Sequence, residues 1–288
     1  MFIATLIAAD RLTRGDISAA ADALGGVRGR HWVEEGSACD LLLDRAEGAR
    51  GGLEGLIAGV DVIVQPAAHR RKRLLVADMD STMITVECID ELADYAGRKA
   101  EVAAVTERAM RGELAFEEAL DARVALLKDL DEGMIERCHS ERVRVTPGAR
   151  SLVRTMRAHG AYCLLVSGGF SLFADRVAAE IGFDAAVSNR LDIVEGRVAG
   201  TVERPVVGAR GKLRAMSEAA AARGIPLSET LAIGDGANDI PMLEEAGLGI
   251  AYHAKPAAVA ASDAAIRWND LSAALYAQGY RRSEWATE

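Results

Sequence analysis

The chain has 288 residues, half of them apolar and 27% charged, enough for one large domain or two smaller ones around a sizeable core. Its formal net charge of −9 argues against a general nucleic-acid binder, which would present a basic face. The four cysteines (Cys39, Cys88, Cys138, Cys163) show neither C-x-x-C pairing nor metal-ligand spacing, so they read as small buried hydrophobes in a reducing compartment. The N-terminal stretch MFIATLIAADRLTRG lacks a basic leader, and no apolar run approaches the ~18 residues of a membrane span, so a soluble, cytoplasmic protein is expected.

Residues 1–70 read as a small α+β unit. Phe2 to Ala8 is a strand pattern, and Ile17 to Leu24 a helix stopped by Gly25-Gly26. Cys39 to Leu43 is a second strand, GGLEGLIAGV a second helix, and Asp61 to Gln65 a last strand. QPAAHRRKR follows as a polar, basic linker.

From residue 71 to 288 short, uniformly apolar runs alternate with amphipathic helical stretches. The runs are RLLVAD, AYCLLVSGG, SETLAIGDG, GLGIAYH and AAIRW. Such strands belong to a parallel sheet covered by helices on both faces. FDAAVSNRLDIVEGRVAGTVER alternates around a Glu-Gly turn and reads as a hairpin beside that sheet. About eighty residues separate Ala77 from Ala161, far more than one crossover helix needs. The excess, about 85–145, is helical in pattern and would form a cap over the C-terminal end of the first strand, where ligands bind in open α/β sheets.

Polar residues end these strands. Asp78-Met79-Asp80-Ser81-Thr82 ends the first, Ser167-Gly168-Gly169 the second, and Gly234-Asp235-Gly236-Ala237-Asn238-Asp239 the third. In a parallel sheet these ends converge on one edge. Carboxylates set against a low-dielectric sheet need a cation, and Mg²⁺ suits Asp78, Asp235 and the backbone carbonyl of Asp80. A calcium loop is excluded: counted from Asp78, Met83 stands at position 6, where Gly is required, and Ile89 at position 12, where Glu is. GARGK is not a Walker loop, because its glycine spacing is wrong and Leu213 replaces Ser or Thr. Facing a phosphomonoester, Asp78 would be the nucleophile and Asp80 the general acid and then base. Ser167 with the backbone of Gly168 and Gly169 would hold phosphate oxygens, and Lys212 would neutralise developing charge.

DMDST, Ser167 in LLVSGG, Lys212 and GDGANDIPML together resemble the four motifs of the haloacid dehalogenase (HAD) superfamily of phosphotransferases. The likeness runs from about Leu74 to Ile250. It implies a Rossmann-like parallel core with a helical cap, preceded here by a small module similar to ACT-like domains. Asp80, two residues after the nucleophile, resembles the phosphatase branch. TVECIDELA and MRGELAFEEALDARVALLKDL look like the cap of the phosphoserine phosphatases, the enzymes of the last step of serine biosynthesis.

That resemblance implies an Mg²⁺-dependent hydrolase of O-phospho-L-serine working through an aspartyl-phosphate. Glu87 would take the substrate ammonium and Arg123 its carboxylate. Met110 and Phe116 would shield the site, Asn238 would help hold phosphate and lysine, and Asp239 would support the metal from behind. Ala119 replaces a small hydroxyl residue common at its cap position. The N-terminal module would brace the core, pair two copies as a homodimer, or bind serine. Two alternatives stay open: the same chemistry on phosphohomoserine or phosphothreonine, and an amino-acid sensor with a vestigial site. All four motifs being present counts against the sensor.

Overall fold

The structure, a computed structural model, describes residues 1–111 and 113–286, and at Met110 the backbone only. β1 (Phe2–Ala8) is buried along nearly its whole length and is followed by α1 (Arg14–Ala23), whose N-terminus is closed by a reciprocal Thr13–Asp16 capping box. β2 (Gly29–Glu34), β3 (Ala38–Leu43), α2 (Ala49–Leu53) and β4 (Val60–Pro66) complete an antiparallel sheet in the order β2-β3-β1-β4. One face, with Ala4, Leu6, Leu41 and Val62, packs under the two helices. The other carries Ile7, Ala38 and Ile63 into the principal core, against Leu271, Ala273 and Tyr276.

Two readings of this region need correction. β2 was missed because an edge strand with Arg30, His31 and Glu34 has no apolar run to betray it. The expected helix over GGLEGLIAGV shrinks to Ala49–Leu53, since Gly55 and Gly59 adopt positive φ and end it. The basic junction is also more than a linker. Arg70 pairs with Asp40 at 2.6 Å and donates to the carbonyls of Tyr276 and Ala277, while Lys72, 3% exposed, donates to those of Ser228 and Gly247.

β5 (Leu74–Ala77) then starts the second sheet, every residue fully buried. Its side chains alternate between the two helix layers: Leu75 and Ala77 join the core of one face, Leu74 and Val76 that of the other. That two-sided burial explains the unbroken apolar run. The cap comprises α3 (Cys88–Tyr95), α4 (Lys99–Met110), α5 (Phe116–Ala125) and α6 (Glu132–Arg142). The two segments linking it to the core run side by side, joined through Ile84 with Val145, Thr85 with Arg144, and Thr146 with Met83.

After α7 (Ala149–Ala158) come β6 (Tyr162–Phe170), α8 (Ser171–Ile181) and β7 (Ala185–Asn189). β7 pairs in parallel with β6, so the first part of the expected hairpin segment belongs to the main sheet. β8 (Leu191–Val194) and β9 (Arg197–Val202) form the hairpin itself, turning at Glu195 and Gly196, both with positive φ as a tight two-residue turn requires. This hairpin props the cap, through Asp131 bridged to Arg197 and Arg197 bonded to the carbonyl of Asp129.

α9 (Ala209–Ala222), β10 (Thr230–Gly234), α10 (Ile240–Glu245), β11 (Gly249–Tyr252), α11 (Pro256–Ala261), β12 (Ala264–Ile266) and α12 (Ala273–Ala277) follow. The sheet order is β12-β11-β10-β5-β6-β7, with every pairing parallel. β5 therefore lies at the centre, between β6 and β10. The four cysteines are free and buried. No helix among the described residues is long and apolar enough to cross a membrane.

Candidate active site

Because β10, β5 and β6 are adjacent and parallel, their C-terminal ends bring Asp235, Asp78 and Ser167 to one edge. Asp78 leaves β5 in extended conformation, and its carboxylate accepts the N–H of Met79 at 2.7 Å. The chain then makes a wide turn in which Ser81 takes a left-handed φ of 56°. Ser81 Oγ donates to Glu87 at 2.7 Å, fixing that carboxylate at the N-cap position of α3.

Lys212, in the first turn of α9 and fully buried, lies 2.6 Å from Asp78 and 2.7 Å from Asp239. Asp239 Oδ2 accepts the N–H groups of Asp235 and Gly236, so it ties the loop after β10 to the lysine. Gly234 is obligatory here, since a Cβ would sit 2.4 Å from the Asp239 carboxyl carbon. Carboxylate oxygens of Asp78, Asp235 and Asp239 lie within 4.8 Å of one another, and all three residues are buried.

Asp78 and Asp239 share the ammonium of Lys212, while Asp235 makes no ion pair among the described residues and feels Lys255 only as a neighbouring charge. The titration behaviour follows. Burial, then Asp239, push Asp78 well above the usual carboxylate range despite Lys212. Burial and Asp239 push Asp235 up to about 6. Burial opposes the charge on Lys212, but Asp239 and Asp78 outweigh it and raise its pKa. Hard oxygen donors with excess negative charge fit a divalent metal ion.

Asp80 stands apart from this cluster. Its Oδ1 accepts the N–H of Cys88 at 2.9 Å, and its Oδ2 faces Ser167 Oγ at 3.3 Å. Burial, then Glu87, raise it to about 6. Ser167 Oγ also accepts the N–H of Gly169 at 2.8 Å. A side chain at Gly169 would displace Asp80, because its Cβ would lie 2.8 Å from Asp80 Oδ2.

Above these groups is a cavity of about 750 Å³ between core and cap. Asp78, Asp80, Asp235, Gly168 and Asn238 line its floor; Glu87, Phe116 and Arg123 line its upper wall. Arg123 Nε donates to the carbonyl of Ala119, so the bond at that position comes from backbone. Its Nη atoms make no hydrogen bond or ion pair among the described residues, which leaves the fork open to the cavity. Phe116 packs over Gly168 and Gly208. The side chain of Met110 lies outside the described residues.

Of the residues singled out in the sequence, Ser167, Lys212 and Asp239 do not line the cavity, but each contacts a residue that does: Asp80, Asp78 and Asp235 in turn. Sequence reasoning missed Asp90 and Lys255, which also line it. Asp90 stands three positions beyond Glu87 on α3, a helical spacing that places both on one face and could have signalled it. One of its carboxylate oxygens is buried without a partner among the described residues, and burial and Glu87 raise its pKa. Lys255 is brought in from beyond β11 and carried no signal.

A central strand delivering an acid, a buried lysine and an acid-rich loop at the same sheet edge, under a helical cap, define a class. The chain belongs to the haloacid dehalogenase-like hydrolases, whose family signature matches residues 75–244. Within that family it is 48% identical over 233 residues to the phosphoserine phosphatase of Streptomyces coelicolor, a match covering 80% of this chain and 57% of that protein. The chain thus spans little more than half the length of that relative. A solved structure of a probable phosphoserine phosphatase from Vibrio cholerae superposes with a TM-score of 0.78 at 32% identity, covering 98% of this chain and 87% of that one. A phospho-aspartyl intermediate analogue of a phosphoserine phosphatase superposes with a TM-score of 0.67 at 39% identity, covering 72% and 98%.

Proposed function

We propose that this chain is a metal-dependent phosphomonoesterase that hydrolyses O-phospho-L-serine to L-serine and phosphate. The observation that carries it is the pairing of a phosphoryl-transfer floor (Asp78, Asp80, Lys212) with a wall bearing the carboxylates of Glu87 and Asp90 and the guanidinium of Arg123, whose Nη atoms make no hydrogen bond or ion pair among the described residues. Phosphoserine offers the complementary phosphate, ammonium and carboxylate. The names of the relatives support the same reading.

In this mechanism Asp78 attacks phosphorus, and the bond to the serine oxygen breaks. Asp80, whose pKa burial raises to about 6, donates a proton from its protonated form to the departing alkoxide. Asp80 then takes a proton from the water that attacks the aspartyl-phosphate, releasing phosphate and regenerating Asp78. Lys212 holds Asp78 in place and balances charge beside it. Ser167, Gly168 and Asn238 orient the phosphate. Glu87, anchored by Ser81, takes the ammonium, and Arg123 takes the carboxylate bidentately. When held by Asp78, Asp235 and the carbonyl of Asp80, with Asp239 fixing the loop behind them, Mg²⁺ supplies charge neutralisation at the phosphate oxygens.

The reading divides the chain into an N-terminal unit of residues 1–70 and a catalytic unit of 71–288. The first serves as a brace, which the Arg70–Asp40 joint supports, or as the surface of a homodimer. Phosphate release from O-phospho-L-serine, phosphothreonine, phosphohomoserine and p-nitrophenyl phosphate, with Mg²⁺ or with EDTA, tests the function. Metal-dependent preference for phosphoserine is expected. Equal turnover of all four would refute the substrate while sparing the chemistry.

A further inference from the structure

We propose that Asn189, at the end of β7, is a positioning residue that locks the phosphate-binding loop to the segment leading into the lysine-bearing helix. The inference rests on the phosphoryl-transfer reading above and adds a residue outside the four motifs.

The starting point is a defect in the sheet. β6 and β7 pair in register through Val166 and Val187, then lose register, and resume at Phe170 opposite Asn189. Ser167, Gly168 and Gly169 fall in that interruption. Bulges of this kind free backbone groups from the ladder and re-aim them. Here the freed stretch lines the cavity floor at Gly168 and Gly169. A loop released from its ladder must be held some other way if it is to present fixed donors to an anion.

Asn189 supplies the hold. Its side chain is 2% exposed. Its Nδ2 donates to the carbonyl of Gly168 at 2.8 Å and reaches that of Val207 at 3.5 Å. Its Oδ1 accepts the N–H of Val207 at 2.7 Å. Val207 immediately precedes Gly208, the N-cap of α9, whose carbonyl accepts the N–H of Lys212 at 2.9 Å. One buried amide therefore spans the two segments that would handle phosphate, the loop of Ser167–Gly169 and the approach to Lys212. A side-chain amide carries its donor and its acceptor on separate atoms, so it can hold both segments at once. Asn189 touches neither the cavity nor a reacting group, so it acts through the loop it holds. Small displacements of such loops cost up to about 100-fold in rate.

Inhibition by orthovanadate, which engages the phosphate subsite alone, provides the test, alongside turnover and thermal melting. Asn189→Ala is expected to weaken vanadate inhibition about tenfold or more, the equivalent of one lost hydrogen bond. It should lower kcat/KM by the same factor on phosphoserine and on p-nitrophenyl phosphate, because the phosphate is common to both. Asn189→Asp keeps the acceptor for Val207 but loses the donor to Gly168, and should weaken vanadate likewise; it decides the matter if the alanine variant does not fold. Leu53→Ala, beneath the N-terminal sheet, controls for simple destabilisation and should melt lower with vanadate inhibition unchanged. Wild-type vanadate affinity in the Asn189 variants, or an equal loss in Leu53→Ala, would overturn the proposal. Absence of vanadate inhibition in the wild type would refute the phosphate-site reading itself.

Discussion

Lys212 is buried among carboxylates that outnumber it, and this imbalance governs what single substitutions do. Asp78 is ionised only at a cost, so Asp78→Asn is expected to abolish turnover, by at least about 10⁴-fold, without lowering the metal-free melting temperature. A melting scan beside the assay checks both. Arg123→Ala should cut kcat/KM for phosphoserine roughly 10–100-fold, the value of a charged hydrogen bond, and leave p-nitrophenyl phosphate nearly unaffected. The acids also set a pH dependence. Asp235 titrates near 6 in the folded chain and near 4 when unfolded, so the folded state holds the extra proton between those values. Metal-free stability therefore falls as pH rises through that window, and the repulsion is fully present above it. Mg²⁺ binds the ionised form, so it should raise the melting temperature clearly at pH 7.5 and hardly at pH 5.

The elements that place these residues differ in how openly the sequence declares them. β5, β6 and β10 are apolar on both faces, so their runs are unbroken and each polar end is conspicuous. The positions of Asp78, Ser167 and Asp235 could be read directly. β2 could not, because as an edge strand it buries only Val33, and β7 was hidden inside a segment that its neighbouring hairpin dominates. Asn189 escaped for the same reason: its importance lies in an interrupted register that no spacing reveals. Lys255 needed α11 to be placed before it could be seen to face Asp235, whereas the spacing of Asp90 from Glu87 was there to be read. The bulge in β6 carries its own prediction. Gly169→Ala would force a methyl against Asp80, and should lower activity about 100-fold or more in a protein that still melts cooperatively.

Across the whole molecule, the N-terminal sheet is fastened by buried polar contacts as well as by apolar packing. Arg70 joins Asp40 of β3 to carbonyls at the end of α12, and Asp61 of β4 accepts the N–H groups of Arg267, Trp268 and Asn269. Arg70→Ala would strand Asp40 at a buried surface, a loss of about 3 kcal/mol, or roughly 6–12 °C in melting temperature. Catalytic constants should hold, since Arg70 lies away from the cavity. A basic tract that looked like a solvated linker is thus a structural joint, and burial alone distinguishes the two.

The most direct test of the account is rapid acid quenching of the protein with ³²P-labelled O-phospho-L-serine and Mg²⁺, followed by peptide mapping. A hydroxylamine-sensitive label on the peptide containing Asp78, missing from Asp78→Asn, is the predicted result. Rapid phosphate release with no label on the chain, or a label on another residue, would contradict it.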